Sequence, residues 1–142
     1  MLNEIIKGVS VRLYDSFGDA YRIYQNDVEQ GLKEPCFFIQ ILEPSRSPLL
    51  GQRSMVRIPL DISYFPRRGG NNDEMLSVGW QLMEQLEYIT LPNGDTVRGT
   101  KMTFEVVDGV LHFFVGYNMT ILHPEDKQFM DTVDMDVSTQ GG

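Results

Sequence analysis

The side chains with the best claim to chemistry are two histidines, His112 and His123. His112 lies in "FEVVDGVLHFFVGY", residues 104 to 117, where Asp108-Gly109 separates two runs of alternating apolar and polar residues. That dipeptide is a strong hairpin signal, because both central residues of the favoured turn take positive φ. With the turn centred there, Glu105 faces His112 across the two strands. A carboxylate beside an imidazole has the composition of a general acid–base pair. It also has the composition of an ordinary solvated ion pair, worth about 0.2–1 kcal/mol across a sheet, and that is the reading adopted. His123 precedes a proline, and neither histidine stands at metal-ligand spacing from another histidine or a cysteine. Asp61, Asp73 and Glu74 are scattered, and Asp61 points to solvent by the alternation of its own segment. Gly69-Gly70 lacks the Lys-Ser/Thr of a phosphate loop, and no Gly-x-Ser-x-Gly occurs. The single cysteine, Cys36, permits no internal disulfide and no thiolate zinc cluster. Between Pro35 and Phe37-Phe38-Ile39 it reads as a buried small hydrophobe. The expectation is a chain that is not an enzyme and has no metal or cofactor.

Arg67-Arg68-Gly69-Gly70 is the only basic cluster, with Arg46, Arg53 and Arg57 nearby in sequence. It reads as an exposed loop able to dock an acidic partner or touch phosphate. Twelve basic residues against twenty acidic ones give a net charge of −8. Tight binding to nucleic acid needs many cations to displace counterions, so that class is disfavoured. Half of the negative charge follows Pro124, where Glu125, Asp126, Asp131, Asp134 and Asp136 face only Lys127. No segment approaches the ~20 apolar residues of a membrane helix. The opening Met1–Lys7 carries an acid where a secretory leader carries bases. A cytoplasmic site of synthesis is therefore expected.

The elements that must position these residues are readable from periodicity. Leu2, Ile5, Ile6, Val9, Leu13 and Phe17 form one helical stripe that stops at Gly18. Residues 21–25 read as a short strand, and 36–42, bounded by prolines, as a buried one. Residues 43–52 read as a loop by composition. Val56, Ile58, Leu60, Ile62 and Tyr64 alternate with polar residues, as in a strand with one buried face. Pro59 inside it cannot donate to a ladder, which predicts an edge or a bulge. A second helix is predicted after 73, capped by Asn72 or Asp73, with an apolar stripe of Leu76, Trp80 (or Gly79), Met83 and Leu86 at spacings of three or four. Asn93-Gly94 marks another turn, and the long hairpin fills 96–122.

The resulting expectation is an α+β fold with two layers: a mostly antiparallel sheet, two helices packed on one face, and a long C-terminal β-hairpin. Residues 1–122 read as one domain and 123–142 as an acidic, flexible tail. In the hairpin, pairs are expected to run outward from Val107–Val110. One face then collects Val106, Leu111, Phe104, Phe113, Met102 and Val115 and suits the core. The other pairs Glu105 with His112, Thr103 with Phe114, and Lys101 with Gly116. Phe114 does not suit water, so this face reads either as covered by the chain itself or as a subunit interface.

Two stretches, "VEQGLKEPCFFIQIL" at 28–42 and "RGTKMTFEVVDGVLHFFVGYNM" at 98–119, resemble a family of small phage and prophage proteins of Gram-positive bacteria, the tail terminators. The opening "LNEIIKGVSVRLYDSFGDAYRIY" is similar to that family's N-terminal helix and first strand. The resemblance spans roughly residues 1–122. It implies a structural protein that forms a ring, a hexamer in related terminators. Such a ring caps the head-proximal end of the tail tube, ends tube polymerisation and offers a surface for head joining. The implied partners are further copies of the chain, the major tail tube protein, the head–tail connector, and DNA passing through the lumen without tight binding; no membrane is involved. The implied location is the neck end of the virion tail, reached by assembly in the host bacterial cytoplasm. The rival reading is a head–tail adaptor or stopper, equally small and ring-forming. Phe114, Glu105, Arg57, Arg67 and Arg68 are the expected interface residues.

Overall fold

The computed structural model describes residues 1–25 and 32–122. In these, α1 (Leu2–Phe17) leads to β1 (Arg22–Gln25), β2 (Cys36–Ile41), β3 (Ser45–Pro48) and β4 (Arg53–Phe65). Then come α2 (Asn72–Gln85), β5 (Tyr88–Thr90), β6 (Thr96–Val107) and β7 (Val110–Leu122). The strands form a sheet in the order β1-β2-β4-β7-β6-β5, with β3 paired to β4 off that path. β1 runs parallel to β2, whereas β2–β4, β5–β6 and β6–β7 are antiparallel. The expected α+β class is what the chain adopts. His123 and the acidic segment from 123 lie outside the described residues.

Two compact units are present: Met1–Pro44 with Arg57–Asn118, and Ser45–Val56 with the chain from Met119. The first holds the core. Ile5, Ile6, Val9 and Leu13 of α1 and Met75, Val78 and Leu82 of α2 are buried together with Phe37, Ile39, Ile58, Leu60, Ile62, Leu111 and Phe113. α1 follows its predicted stripe and ends at Gly18, whose φ of 84° no β-carbon residue adopts cheaply. Phe17, Tyr21, Phe37 and Tyr64 form an aromatic cluster with ring centroids 5.0–6.1 Å apart. Cys36 is buried, and burial, with the charge of Glu34 added, pushes its thiol from an ordinary 9.0 up to about 11.

α2 turns differently from its predicted orientation. Its cap is Asn71, whose side chain accepts from the Glu74 amide at 2.9 Å. Met75, Val78, Gly79, Leu82 and Leu86 face inward, while Leu76 and Trp80 are 48% and 62% exposed. The cause is close packing at Gly79. A β-carbon there would lie 2.7 Å from the Phe104 ring, so the helix presents its narrow side to β6. The C-terminal carbonyl of Leu86 accepts from the buried Tyr117 hydroxyl at 2.6 Å, closing a helix end that lacks partners of its own.

The terminal hairpin turns at Asp108 and Gly109, with φ of 52° and 75°. Its register runs as expected from Val107↔Val110 to Thr103↔Phe114. Beyond that Thr100, not Lys101, pairs with Gly116. Lys101 and Met102 together stand against Val115, and Lys101 takes a left-handed φ of 53°. This bulge switches the inward residues from Met102, Phe104 and Val106 to Val97 and Gly99, so apolar positions of opposite parity share one core.

Two further expectations change. β4 lies inside the sheet, between β2 and β7, rather than at an edge. Pro59 is tolerated because β2 has ended at Ile41, and only the Leu42 amide still reaches the Pro59 carbonyl, at 2.9 Å. The segment read as a loop over 43–52 contains β3 and closes a tight hairpin, with the Leu49 amide 2.8 Å from the Arg53 carbonyl. Ser45-Arg46-Ser47-Pro48 has no apolar residue to bury, which is why its strand is invisible to periodicity.

Candidate interaction face

The sheet has a second face, turned away from the buried stripe. β2, β4, β6 and β7 each give it alternate residues. The register sets Gln40 opposite Asp61 and Glu105 opposite His112. Asp61 and His112 then meet between β4 and β7, with Nδ1 3.2 Å from Oδ2 and 3.3 Å from Oδ1. A polar row, Gln40-Asp61-His112-Glu105, thus crosses four strands. Ser63 Oγ lies 3.3 Å from Asp61 Oδ1 and 3.2 Å from His112 Nδ1.

Serine, histidine and aspartate together invite comparison with a nucleophilic triad. The geometry differs. A triad needs the aspartate at one ring nitrogen and the serine at the other. Here both oxygens converge on Nδ1. A carboxylate can only accept, so Nδ1 holds a proton directed at Asp61, and the Ser63 hydroxyl donates to Oδ1. Ser63, itself only 5% exposed, is not offered to a substrate. The arrangement fixes an imidazole within a sheet face and does no acyl chemistry. Among the described residues no group of three or more His, Cys, Asp or Glu is placed to hold a metal ion. A groove between α1 and β1, lined by Lys7, Val11, Tyr14, Ile23 and Gln25, has among its described lining residues one base and no acid.

The expected interface residues separate into two places. Phe114 and Glu105 lie on this outer face, and Arg57 projects from the same side of β4 as Asp61. Phe114 is half-buried and stacks on the His112 ring, with centroids 6.4 Å apart and planes 15° apart. Glu105 is exposed and occupies the predicted register position, yet the partner of His112 is Asp61. Arg57 is exposed. Arg67 and Arg68 stand elsewhere, in the exposed turn before α2, where the Gly70 amide donates to the Arg67 carbonyl at 2.7 Å. That turn is tied down behind them, because Glu74 accepts the Tyr64 hydroxyl and a β-carbon on Gly70 would meet Pro66 at 2.7 Å.

Sequence reasoning missed three exposed apolar anchors in two places. Trp80 and Leu76 lie one turn apart on the outside of α2, and Leu50, 86% exposed, tips the β3–β4 hairpin. The surface therefore presents contact features and no complete catalytic set among the described residues.

A family model described as phage tail terminator protein matches residues 4–128. The chain belongs to the phage tail terminator family. No curated protein matches it significantly. As a tail terminator it is a structural protein of the phage tail, its place is the virion tail, and its partners are other phage tail or head proteins. None of its helices is long and apolar enough to cross a membrane, among the described residues.

Proposed function

We propose that the protein assembles into a ring, a hexamer, that caps the head-proximal end of the tail tube. The reading is carried by the family match over 4–128, which among the described residues spans all but the first two residues of α1, the whole of α2 and β1 through β7. The mechanism is geometric. A head-to-tail interface closes by rotation into a ring rather than a filament. One ring face matches the last ring of tube protein. The other offers no further tube-binding surface, so growth stops there, and the head connector docks on it instead. Phe114, Glu105, Arg57, Arg67 and Arg68 lie at or near the surfaces such contacts use. A net charge of −8 keeps DNA from adhering as it passes through the lumen, since like charges repel. Assembly takes place in the host cytoplasm and the ring remains at the neck of the virion.

The test is tube length. Tail tube protein polymerised alone should give long, unbounded tubes in negative-stain micrographs. Added terminator should shorten them and leave a ring at one end. Tubes of unchanged length, with the protein bound to the portal-side connector instead, would identify an adaptor or stopper.

A further inference from the structure

Two exposed surfaces of the chain each have an apolar centre and carry opposite charge. The first is the outside of α2. Asp73, Leu76, Ser77, Trp80 and Glu84 are spaced at three and four residues and form one exposed stripe. It has an apolar centre, Trp80 at 62% and Leu76 at 48% exposure, and acidic ends. α2 contains no lysine or arginine, and Asp73 and Glu84 have no cation beside them among the described residues. The nearby Glu87 is already matched by Arg98, 3.5 Å away.

The second surface is the β3–β4 hairpin. Ser45–Val56 carries Arg46 and Arg53 and no acidic residue. Its tip is Leu49-Leu50-Gly51, with Leu50 the most exposed large hydrophobic residue described, at 86%. Gly51 holds a left-handed φ of 73°, and Arg53 Nε donates to the Leu50 carbonyl at 3.3 Å, so the tip is a defined turn. The apolar tip, with Arg53 next to it, is exposed, and so is the apolar stripe between acids.

We infer that the β3–β4 hairpin of one protomer docks on the exposed Leu76–Trp80 stripe of α2 of the next, with Leu50 against the indole and Arg53 toward Glu84. The occupant is a second copy of this chain, because the complement of each patch is already encoded in it. The two patches are different surfaces, so the contact is head-to-tail and repeats around a ring without a two-fold axis. A tryptophan desolvated between apolar neighbours and ringed by charge has the composition of an interface anchor. This inference rests on the ring reading above and names the contact that closes it.

Trp80 is the only tryptophan in the chain, so assembly can be read at the proposed contact itself. Protein would be titrated from dilute to concentrated, alone and with tail tube protein lacking tryptophan, following scattering mass and Trp80 emission together. The expected result is a blue shift and loss of acrylamide quenching that track the rise in mass. Leu50→Glu and Arg53→Glu should each weaken assembly by at least about tenfold. Glu84→Arg should restore assembly to Arg53→Glu. All three changes lie on exposed positions, and unchanged circular dichroism confirms that the variants fold. A ring-sized species whose Trp80 emission stays red and quenchable would overturn the docking while leaving the ring intact. A wild-type protein that gains no mass, alone or with tube protein, would remove the ring reading and the docking with it.

Discussion

Asp61 accepts from His112 across β4 and β7 at 3.2 Å, and takes the Ser63 hydroxyl on its other oxygen. One carboxylate therefore organises three residues on the outer face of the sheet. Asp61→Ala leaves the imidazole N–H and the serine hydroxyl without their acceptor, at a cost of about 1–3 kcal/mol. Glu105→Ala, at the exposed position opposite His112, should change stability by no more than about 0.5 kcal/mol. Urea denaturation of the two variants distinguishes the partners: equal losses would mean that His112 depends on Glu105 as well.

Gly79→Ala sets two effects against each other. Alanine improves helix propensity by about 1 kcal/mol. Its β-carbon would also meet the Phe104 ring at 2.7 Å, and overpacking of that kind costs about 1–3 kcal/mol. The net expectation is a less stable protein, with Phe104→Leu recovering part of the loss in the double variant. A Gly79→Ala protein with a raised melting temperature would show that α2 is free to shift off β6.

Tyr117→Phe removes one of two side-chain donors at the end of α2; the other, Arg12 Nε, donates to the Gln85 carbonyl at 2.8 Å and cannot replace it at Leu86. The Leu86 carbonyl then stays buried without the bond it has at 2.6 Å. A loss of about 1–3 kcal/mol in chemical denaturation is expected, with no change in secondary structure by circular dichroism.

Alkaline pH should destabilise the fold. Burial raises the thiol of Cys36 to about 11 and holds the hydroxyls of Tyr64 and Tyr117 well above the usual tyrosine range, Tyr64 also by donating to Glu74. All three groups are neutral when protonated, so the unfolded chain loses their protons first as pH rises. The stability is complete below the unfolded thiol value of 9.0 and declines from there through the raised folded values. Urea midpoints at pH 8 and pH 10.5 measure it, and Cys36→Ala should flatten part of the slope. A midpoint independent of pH would mean that these groups reach water in the native state.

Much of the fold was legible because periodicity and turn chemistry agreed. The stripe of α1, the alternation of β4 and the Asp108-Gly109 turn each state a period and a stop signal within a few residues. α2 was not legible in orientation, since Met75-Leu76, Val78-Trp80 and Leu82-Met83 offer two overlapping stripes at the same spacing. Tryptophan's size favours the wrong one, and only Gly79, a site of close approach, marks the other. The bulge at Lys101 had a faint signal in the change of apolar parity between Val97 and Met102. Its lysine, an unusual residue for positive φ, concealed it. The Asp61–His112 pair depends on which strand lies beside β7, a property of topology that no local pattern carries. Leu50 stood in a segment that composition marks as loop, so its exposure was predictable while its position at the tip of a paired hairpin was not.

The claim that this terminator works as a ring is tested most directly by its mass in solution. Light scattering would be measured at several concentrations, with and without tail tube protein. The account predicts a species of about six protomers of 16.3 kDa, alone or on the tube end. A protein that remains a single protomer at every concentration, and does not associate with tube protein, would contradict it.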